Sequence, residues 1–244
     1  DTFRFSTNLQ GVTDSGFWEI SYTRAVNDFV FSVPDVLNTE FQLALYGLGG
    51  SNCDPVAGTP GEGNCEFFNP FATSYTSSPN SDYVVDSFTG KQVIDSKADL
   101  EVIEAFTSFD VFEVGGGYAA LALGVQYREN QLSQDYDELS NQDSFTFVIG
   151  NPDIDGSQDV WAAFGELALP LTDDLDVQVA LRYEDYGGNI GSTVDPKLAV
   201  SYRASDTLSF RGSISTSFRA PTVFLAQGGA TSLQQILDPV QGAV

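Results

Sequence analysis

Residues Val160–Ala226 read VWAAFGELALPLTDDLDVQVALRYEDYGGNIGSTVDPKLAVSYRASDTLSFRGSISTSFRAPTVFLA, and this stretch decides the fold. Within Asp176–Tyr186, an apolar set alternates strictly with a polar set: Val177, Val179, Leu181 and Tyr183 against Asp176, Gln178, Arg182 and Glu184. The same period of two recurs in Val160–Pro170, Val194–Arg203 and Leu208–Arg219. Such alternation predicts strands with one apolar and one polar face. Successive strands of about ten residues built this way favour a sheet whose apolar face meets lipid and whose polar face meets water.

Further segments with this alternation lie upstream, at Phe3–Leu9, Phe17–Arg24, Leu100–Phe112 and Tyr118–Arg128. The sequence therefore predicts an all-β fold, an antiparallel transmembrane β-barrel segment of about eight strands. Aromatic residues near strand ends are typical of the interfacial girdles of such barrels. The alternative is an ordinary soluble sheet with the aromatic residues in its core.

The connections between these segments alternate between short and long. We expect long external loops at about residues 25–98, 130–158 and 219–244, with a short hairpin around Tyr83–Val93 and no amphipathic helix. Outer-membrane barrels have tight turns at one rim and long loops at the other. This alternation of short and long connections places three stretches outside the cell: Cys53–Cys65, Asn141–Asp159 and the chain from Arg219 onward.

Composition excludes several functions. The formal net charge is −24, with ten basic residues against thirty-four acidic ones, and this field repels the phosphates of nucleic acids. Histidine is absent, so the chain alone builds no histidine-based zinc site and no Ser-His-Asp triad. We expect neither an enzyme nor a cofactor. No run of eighteen apolar residues occurs, so no transmembrane helix is expected.

Cys53 and Cys65 are the only cysteines and lie in a loop-like stretch rich in glycine and proline. Two thiols without a histidine make a poor metal site, so a local disulfide in an oxidising compartment is favoured.

Two groups of residues are candidates for binding. The first comprises charged residues on the polar face of the strands, which either hold or guide a partner or simply balance charge in a hydrated interior: Arg182, Glu184, Lys197, Arg203, Arg211 and Arg219. The second comprises candidate loop contacts at Phe68, Asn69 and Phe71. The loop aromatics, including Phe67 and Tyr75, either pack the loop onto itself or face a ligand, and self-packing is favoured.

Asn151, Asp153, Asp155 and Asp159 place oxygen ligands at the spacing of a calcium loop, with Gly156 at the position that allows a sharp turn. The bidentate glutamate that closes such a loop is missing, because Ala162 stands at its position. A solvated acidic turn is the alternative, and no metal is expected.

Several stretches resemble TonB-dependent outer-membrane receptors. GSISTSFRAPTVFLAQGG resembles the family motif in which a strand ends at an external loop, and FGELALPLTDDLDVQVALRYEDYGG with GSTVDPKLAVSYRASDTLSFRGS is similar to the adjoining strands. LEVIEAFTSFDVFEVGGGYAALALGVQYREN is similar to another strand pair, and the cysteine loop followed by Asn69-Pro70-Phe71 resembles that of many members. The resemblance implies that residues 1–244 are part of one barrel domain of twenty-two strands. The plug domain, the TonB-binding box and the C-terminal strand of the family are absent from the sequence.

The resemblance further implies a receptor in the bacterial outer membrane, surrounded by lipid, that captures a scarce solute and imports it. Energy would come from the inner-membrane TonB complex acting on a plug, without covalent catalysis. Ferric siderophore, cobalamin, oligosaccharide and peptide all remain open as the solute. The alternative is a non-transporting surface protein or adhesin in which the same strands form a small closed barrel or a sandwich.

Overall fold

A computed structural model describes residues 1–72, 79–188 and 190–226. Its eight strands are β1 (Thr2–Thr13), β2 (Gly16–Val36), β3 (Thr89–Val114), β4 (Gly117–Tyr136), β5 (Ile154–Thr172), β6 (Leu175–Asp185), β7 (Ser192–Ser205) and β8 (Leu208–Ser215). They form one sheet in sequence order, from β1 at one edge to β8 at the other. The predicted fold class is confirmed. The sheet is open, so these strands form neither the small closed barrel nor the sandwich of the alternative.

The connections alternate between short and long, as predicted. Two-residue turns join β1 to β2, β3 to β4, β5 to β6 and β7 to β8, whereas residues 37–88 and 137–153 form the long connections. Both long connections are shorter than predicted, because the strands that flank them continue beyond the lipid-facing pattern. β2 extends to Val36 and β3 begins at Thr89, while β4 extends to Tyr136 and β5 begins at Ile154.

The long connections contain short helices that the sequence did not predict. They contain α1 (Asn38–Leu45), α2 (Asp82–Ser87) and α3 (Glu138–Asn141), and α4 (Val223–Ala226) follows β8. The hairpin predicted around Tyr83–Val93 is instead α2 followed by the start of β3. α2 begins where the Ser81 hydroxyl accepts the Val84 N–H, a typical N-terminal cap. The longest helix has eight residues, and within the described ranges none could span a bilayer.

The register of the sheet aligns its apolar side chains on one face. Val179 of β6 lies opposite Leu167 of β5 and Leu198 of β7, and Leu198 lies opposite Ile214 of β8. These side chains are exposed rather than buried: Val179 is 46% and Ile214 is 73% accessible. Burying apolar area is the main favourable term in folding, so an apolar face left this open requires an apolar surrounding.

The chain divides into two compact units. The first comprises residues 1–28, 97–133 and the described residues from 155 onward, and the second comprises residues 29–96 and 134–154 in its described part. Tyr75 and residues 227–244, which include most of the predicted tail loop, lie outside the described residues.

The second unit has its own small hydrophobic core. Ala44 of α1, Val84 of α2 and Phe88 are buried together. The rings of Phe41, Phe68 and Phe88 contact one another edge to face, with centroids 5.0–5.4 Å apart. Aromatic pairs in this geometry stabilise a fold beyond the area that they bury.

The predicted disulfide is present between Cys53 and Cys65. Cys65 is buried, and the backbone of Gly58 passes so close that an added Cβ would lie 2.7 Å from the Cys65 sulfur. The bridge therefore closes a compact loop within the second unit.

Replacing both cysteines with serine is expected to lower the free energy of unfolding of the second unit by about 3 kcal/mol, because the bridge restricts the unfolded loop. Limited proteolysis as a function of denaturant measures this loss. Reducing the disulfide of the unmodified protein should give the same loss and should leave the serine variant unchanged. Equal resistance before and after reduction would contradict the prediction.

Candidate functional site

A hydrogen-bonded charge network lies on the polar face of the first unit. Arg182 of β6 donates to Glu184 Oε1 (2.9 Å) and to Gln126 Oε1 of β4 (3.2 Å). Gln126 in turn donates to Glu104 of β3. The Arg182 guanidinium also lies over the Phe164 ring, 5.5 Å from its centroid. These contacts connect β3, β4, β5 and β6 on the polar face of the sheet.

Glu184 is the buried member of this network, with 9% of its surface accessible. Its second oxygen accepts the Tyr186 hydroxyl at 2.7 Å, so both carboxylate oxygens have donors. A buried charge is stable only when it is paired and hydrogen-bonded, and Glu184 meets this condition. The sequence prediction that Arg182 and Glu184 share the polar face agrees with this arrangement, while their function stays a prediction.

Tyr186 connects the network to the segment that follows β8. Its ring contacts the Phe218 ring edge to face, with centroids 5.6 Å apart. β8 ends at Ser215, four residues earlier than the strand predicted to reach Arg219. After it, Thr216 donates its N–H to the Pro196 carbonyl, and the chain then leaves the sheet. Arg219 therefore lies in an exposed segment, directly after the residue that contacts Tyr186.

Replacing Tyr186 with leucine is expected to loosen residues 216–222, because the aromatic contact and the bond to Glu184 are both lost. An aromatic pair contributes about 0.5–1.5 kcal/mol, which corresponds to a roughly two- to tenfold rise in local opening. Hydrogen exchange followed by mass spectrometry measures this change.

The matched control is Tyr186→Phe, which keeps the ring and removes only the hydroxyl. It should leave exchange of residues 216–222 closer to that of the unmodified protein. Equal exchange in the leucine variant would show that Tyr186 does not position this segment.

Lys197, Arg203 and Arg211 also lie on the polar face, as the register shows. Lys197 is opposite Ala180, Arg203 is opposite Ser209, and Arg211 is opposite Ser201. The ion pairs of the described ranges are formed by Arg24 and Arg182, and none involves these three cations.

The candidate loop contacts have different environments in the second unit. Phe68 belongs to the aromatic core, as the self-packing interpretation predicts. Asn69 makes a turn in which its side-chain oxygen accepts the Phe71 N–H, and its backbone exchanges two hydrogen bonds with the side chain of Asn80. Phe71 is 86% accessible and Asn69 is exposed as well, so these two, unlike Phe68, are open to a ligand.

Two carboxylates that sequence reasoning missed hold the second unit together. Buried Asp35 accepts the N–H groups of Val36, Phe147 and Val148. Asp137 caps α3 and accepts the Val93 N–H. Phe147 and Val148 are far from Asp35 in the sequence, and Val93 is far from Asp137. No local sequence pattern reveals contacts between such distant residues.

The pKa of Asp137 reflects two opposing effects. Burial raises the pKa of its carboxyl, but the N–H groups of Val93, Ser140 and Leu139 and the Ser140 hydroxyl lower it more, so it lies below the usual range. The carboxylate therefore stabilises the fold above the pKa of unfolded aspartate. That stabilisation is lost as the pH falls through the lower folded value.

The calcium-loop spacing does not give a calcium-loop shape. Residues 154–159 are extended at the start of β5, so the turn that would wrap a cation is missing. Asp153 accepts hydrogen bonds from the Tyr136 N–H and from Asn141, and Asp159 accepts the Tyr127 hydroxyl. The described part of the chain contains no group of three or more acidic or cysteine side chains suited to a metal ion.

A meander of strands with an exposed apolar face, a charged polar face and alternating short and long connections is typical of a segment of an outer-membrane β-barrel. The family model described as "TonB dependent receptor-like, beta-barrel" matches residues 1–242. The chain therefore belongs to the TonB-dependent receptor family. Members of this family are receptors and transporters of the Gram-negative outer membrane rather than enzymes, and they interact with TonB. No significant similarity to a curated protein or to a solved structure was found.

Proposed function

We propose that this chain forms part of the wall of a receptor that imports a scarce solute across the outer membrane with energy from the TonB complex. The observation that carries the proposal is the two-faced sheet. Its apolar face is exposed, and its polar face holds a hydrogen-bonded Arg182–Glu184 network whose carboxylate is buried. The TonB complex would act through a plug domain within the barrel, and the polar face would contact that plug.

The second unit would lie outside the cell and capture the solute. The exposed side chain of Phe71 is the proposed contact of this unit with the solute. In the first unit, the charged residues of the polar face would line the route or hold the plug: Arg182, Glu184, Lys197, Arg203, Arg211 and Arg219. Lys91 is the only basic residue in residues 29–96 and 134–154, whereas carboxylates are numerous there. Such a surface repels anions, so a neutral or cationic solute is favoured over a strongly anionic one.

Growth of the source bacterium on limiting solute tests the proposal. A strain lacking the complete receptor is supplied with ferric siderophores, cobalamin, oligosaccharides or peptides as the limiting nutrient. We expect one of these to require the receptor, and its uptake to stop when TonB is deleted or a protonophore removes the proton gradient. Arg219→Ala should reduce uptake without reducing the amount of receptor in the membrane.

An unchanged nutrient range, or uptake that persists without TonB, would contradict the proposal. Loss of surface adherence with normal uptake would instead support the adhesin alternative.

A further inference from the structure

A groove of about 590 Å³ lies on the apolar face of the first unit and crosses β2, β3, β4 and β5. Large apolar side chains form its walls and small ones its floor, namely Trp18, Ile20, Leu123 and Val125 with Ala105 and Ala163. The Trp18 ring lies against the backbone of Gly11 in β1, because a Cβ added there would be 2.6 Å from the ring. The groove is of a size that holds a small ligand, and its apolar lining selects an apolar one.

Two aromatic side chains follow the groove along the strands, toward the long connections. Tyr127 of β4 and Trp161 of β5 have ring centroids 4.6 Å apart. The Tyr127 hydroxyl donates to Asp159 at 2.9 Å, which fixes the pair beside a carboxylate. Trp161 is 61% accessible, so much of its ring is open. Tyrosine and tryptophan are enriched at the level of lipid headgroups, so the aromatic pair marks that level on this face.

The same face becomes charged next to the aromatic pair. Arg24, which lies opposite Phe5 of β1, and the carboxylates of Asp99, Glu101 and Glu129 line a small depression. Arg24 donates to Asp99 at 2.7 Å and lies 3.5 Å from Glu101, but the carboxylates outnumber it three to one. Asp99 Oδ1 is buried and accepts no hydrogen bond within the described ranges. The depression therefore lacks positive charge and a hydrogen-bond donor.

The neighbouring basic residues do not remove this excess of carboxylates. Lys97 precedes Asp99 on β3, does not line the depression and forms no ion pair with a described carboxylate. Arg128 is next to Glu129 in the sequence, but it interacts with Glu184 on the polar face. A ligand that brings its own cation would fit the depression.

We propose that this surface binds one phospholipid whose headgroup carries both a phosphate and an ammonium group, as phosphatidylethanolamine does. An acyl chain would lie in the groove, and the headgroup would lie at the charged depression. The site requires the barrel but not the imported solute, so it goes beyond the proposed function.

The charges of the depression complement both groups of this headgroup. The Arg24 side chain is 46% accessible, so it can donate to a phosphate as well as to Asp99. An ammonium group supplies the donors that Asp99 and Glu101 lack, and it is attracted to the open face of a tryptophan ring such as Trp161. A headgroup with a phosphate and no amine would meet the excess of carboxylates and be repelled.

Native mass spectrometry of the complete receptor tests the proposal. The receptor is reconstituted in vesicles with equal amounts of phosphatidylethanolamine, phosphatidylcholine and phosphatidylglycerol, extracted in mild detergent and weighed with its retained lipid. We expect one phosphatidylethanolamine to be retained about tenfold more often than phosphatidylglycerol, because hydrogen bonds to charged groups contribute at least this factor. Phosphatidylcholine should be retained less than phosphatidylethanolamine, since its methylated ammonium donates no hydrogen bond.

Variants of the headgroup site test the named contacts. Glu101→Gln should remove most of the preference for phosphatidylethanolamine, and Trp161→Leu should weaken its retention roughly two- to fivefold, the factor of an exposed cation–π contact. Glu113→Gln is the matched control, because Glu113 is an exposed carboxylate near the other end of β3. It should leave the preference unchanged.

Filling the groove tests the site of the acyl chain. Ala105→Phe should abolish retention of the lipid, because the added ring occupies the floor of the groove. Val111→Phe is the matched control, since Val111 is an exposed residue of β3 outside the groove. Heat-modifiable migration on gels shows that each variant is folded.

Three results would overturn the lipid site. These are lipids retained in the proportions of the vesicle, a preference for phosphatidylglycerol, and unchanged retention in Ala105→Phe. A second copy of the receptor or another membrane protein covering the groove in place of lipid would overturn it too. Solute uptake tests the proposed function alone, so a receptor that retains phosphatidylethanolamine without importing a solute would support the lipid site while the proposed function fails.

Discussion

Leu181→Arg is expected to destabilise the receptor in the membrane by about 2–4 kcal/mol, because an arginine at mid-depth on the lipid-facing side of a barrel is costly. Leu181 lies on the apolar face of β6, opposite Gly165 of β5 and Pro196 of β7, and its side chain is 51% accessible. Urea unfolding of the complete receptor in lipid vesicles, followed by its heat-modifiable migration on gels, measures the loss.

The matched control is Ala180→Arg, one residue away on the polar face of the same strand. A charge there meets water and polar side chains, so the loss should be much smaller. Equal destabilisation by the two substitutions would show that the two faces of β6 do not have different surroundings.

Phe88→Ala is expected to lower the stability of the second unit by about 3–5 kcal/mol, the usual cost of emptying a buried aromatic site. Phe88 is almost fully buried and contacts the rings of both Phe41 and Phe68, so both edge-to-face pairs are lost with it. Limited proteolysis of residues 29–96 in a denaturant series measures the change.

Phe71→Ala provides the comparison, because the Phe71 side chain is exposed and outside this core. Its substitution should leave the resistance to proteolysis unchanged. If Phe88→Ala were equally silent, the small aromatic core would not be what holds the second unit together.

Two strands of the first unit, β6 and β7, could be predicted from sequence to within two residues at each end, whereas β8 ends four residues earlier than predicted. β6 is the clearest case: the predicted segment Asp176–Tyr186 and the strand Leu175–Asp185 differ by one residue at each end. The reason is physical, because each face of the strand meets one kind of surrounding and polar turn residues flank it. The positions of the short turns, though not their length of two residues, follow from the same pattern.

The second unit could not be predicted in this way. In the end of β2, Phe29, Val30 and Phe31 follow one another, so the alternation is lost although the strand continues to Val36. α1 and α2 have eight and six residues, too few turns for a helical period to stand out. Their stability comes from the shared core of Ala44, Val84 and Phe88, and contacts of that kind are not visible in local sequence.

The candidate site was predictable only in part. The alternation of side chains along the strands assigned four charged residues to the polar face, namely Arg182, Glu184, Lys197 and Arg211. The register of the sheet agrees with this assignment. It could not give the partners, because the bond from Arg182 to Gln126 joins residues 56 positions apart and depends on the order of the strands. The contact between Tyr186 and Phe218 likewise depends on the chain leaving the sheet after β8.

A nitroxide scan of residues 176–185 in the complete receptor, reconstituted in lipid bilayers, tests directly whether the apolar face of the sheet meets lipid. Each position is changed in turn to a spin-labelled cysteine, and collisions with oxygen, which concentrates in lipid, are compared with those of a water-soluble nickel chelate. We expect a period of two, with oxygen contact highest at positions 177, 179, 181 and 183. High nickel contact or strong immobilisation without oxygen at those four positions would show that the apolar face does not meet lipid.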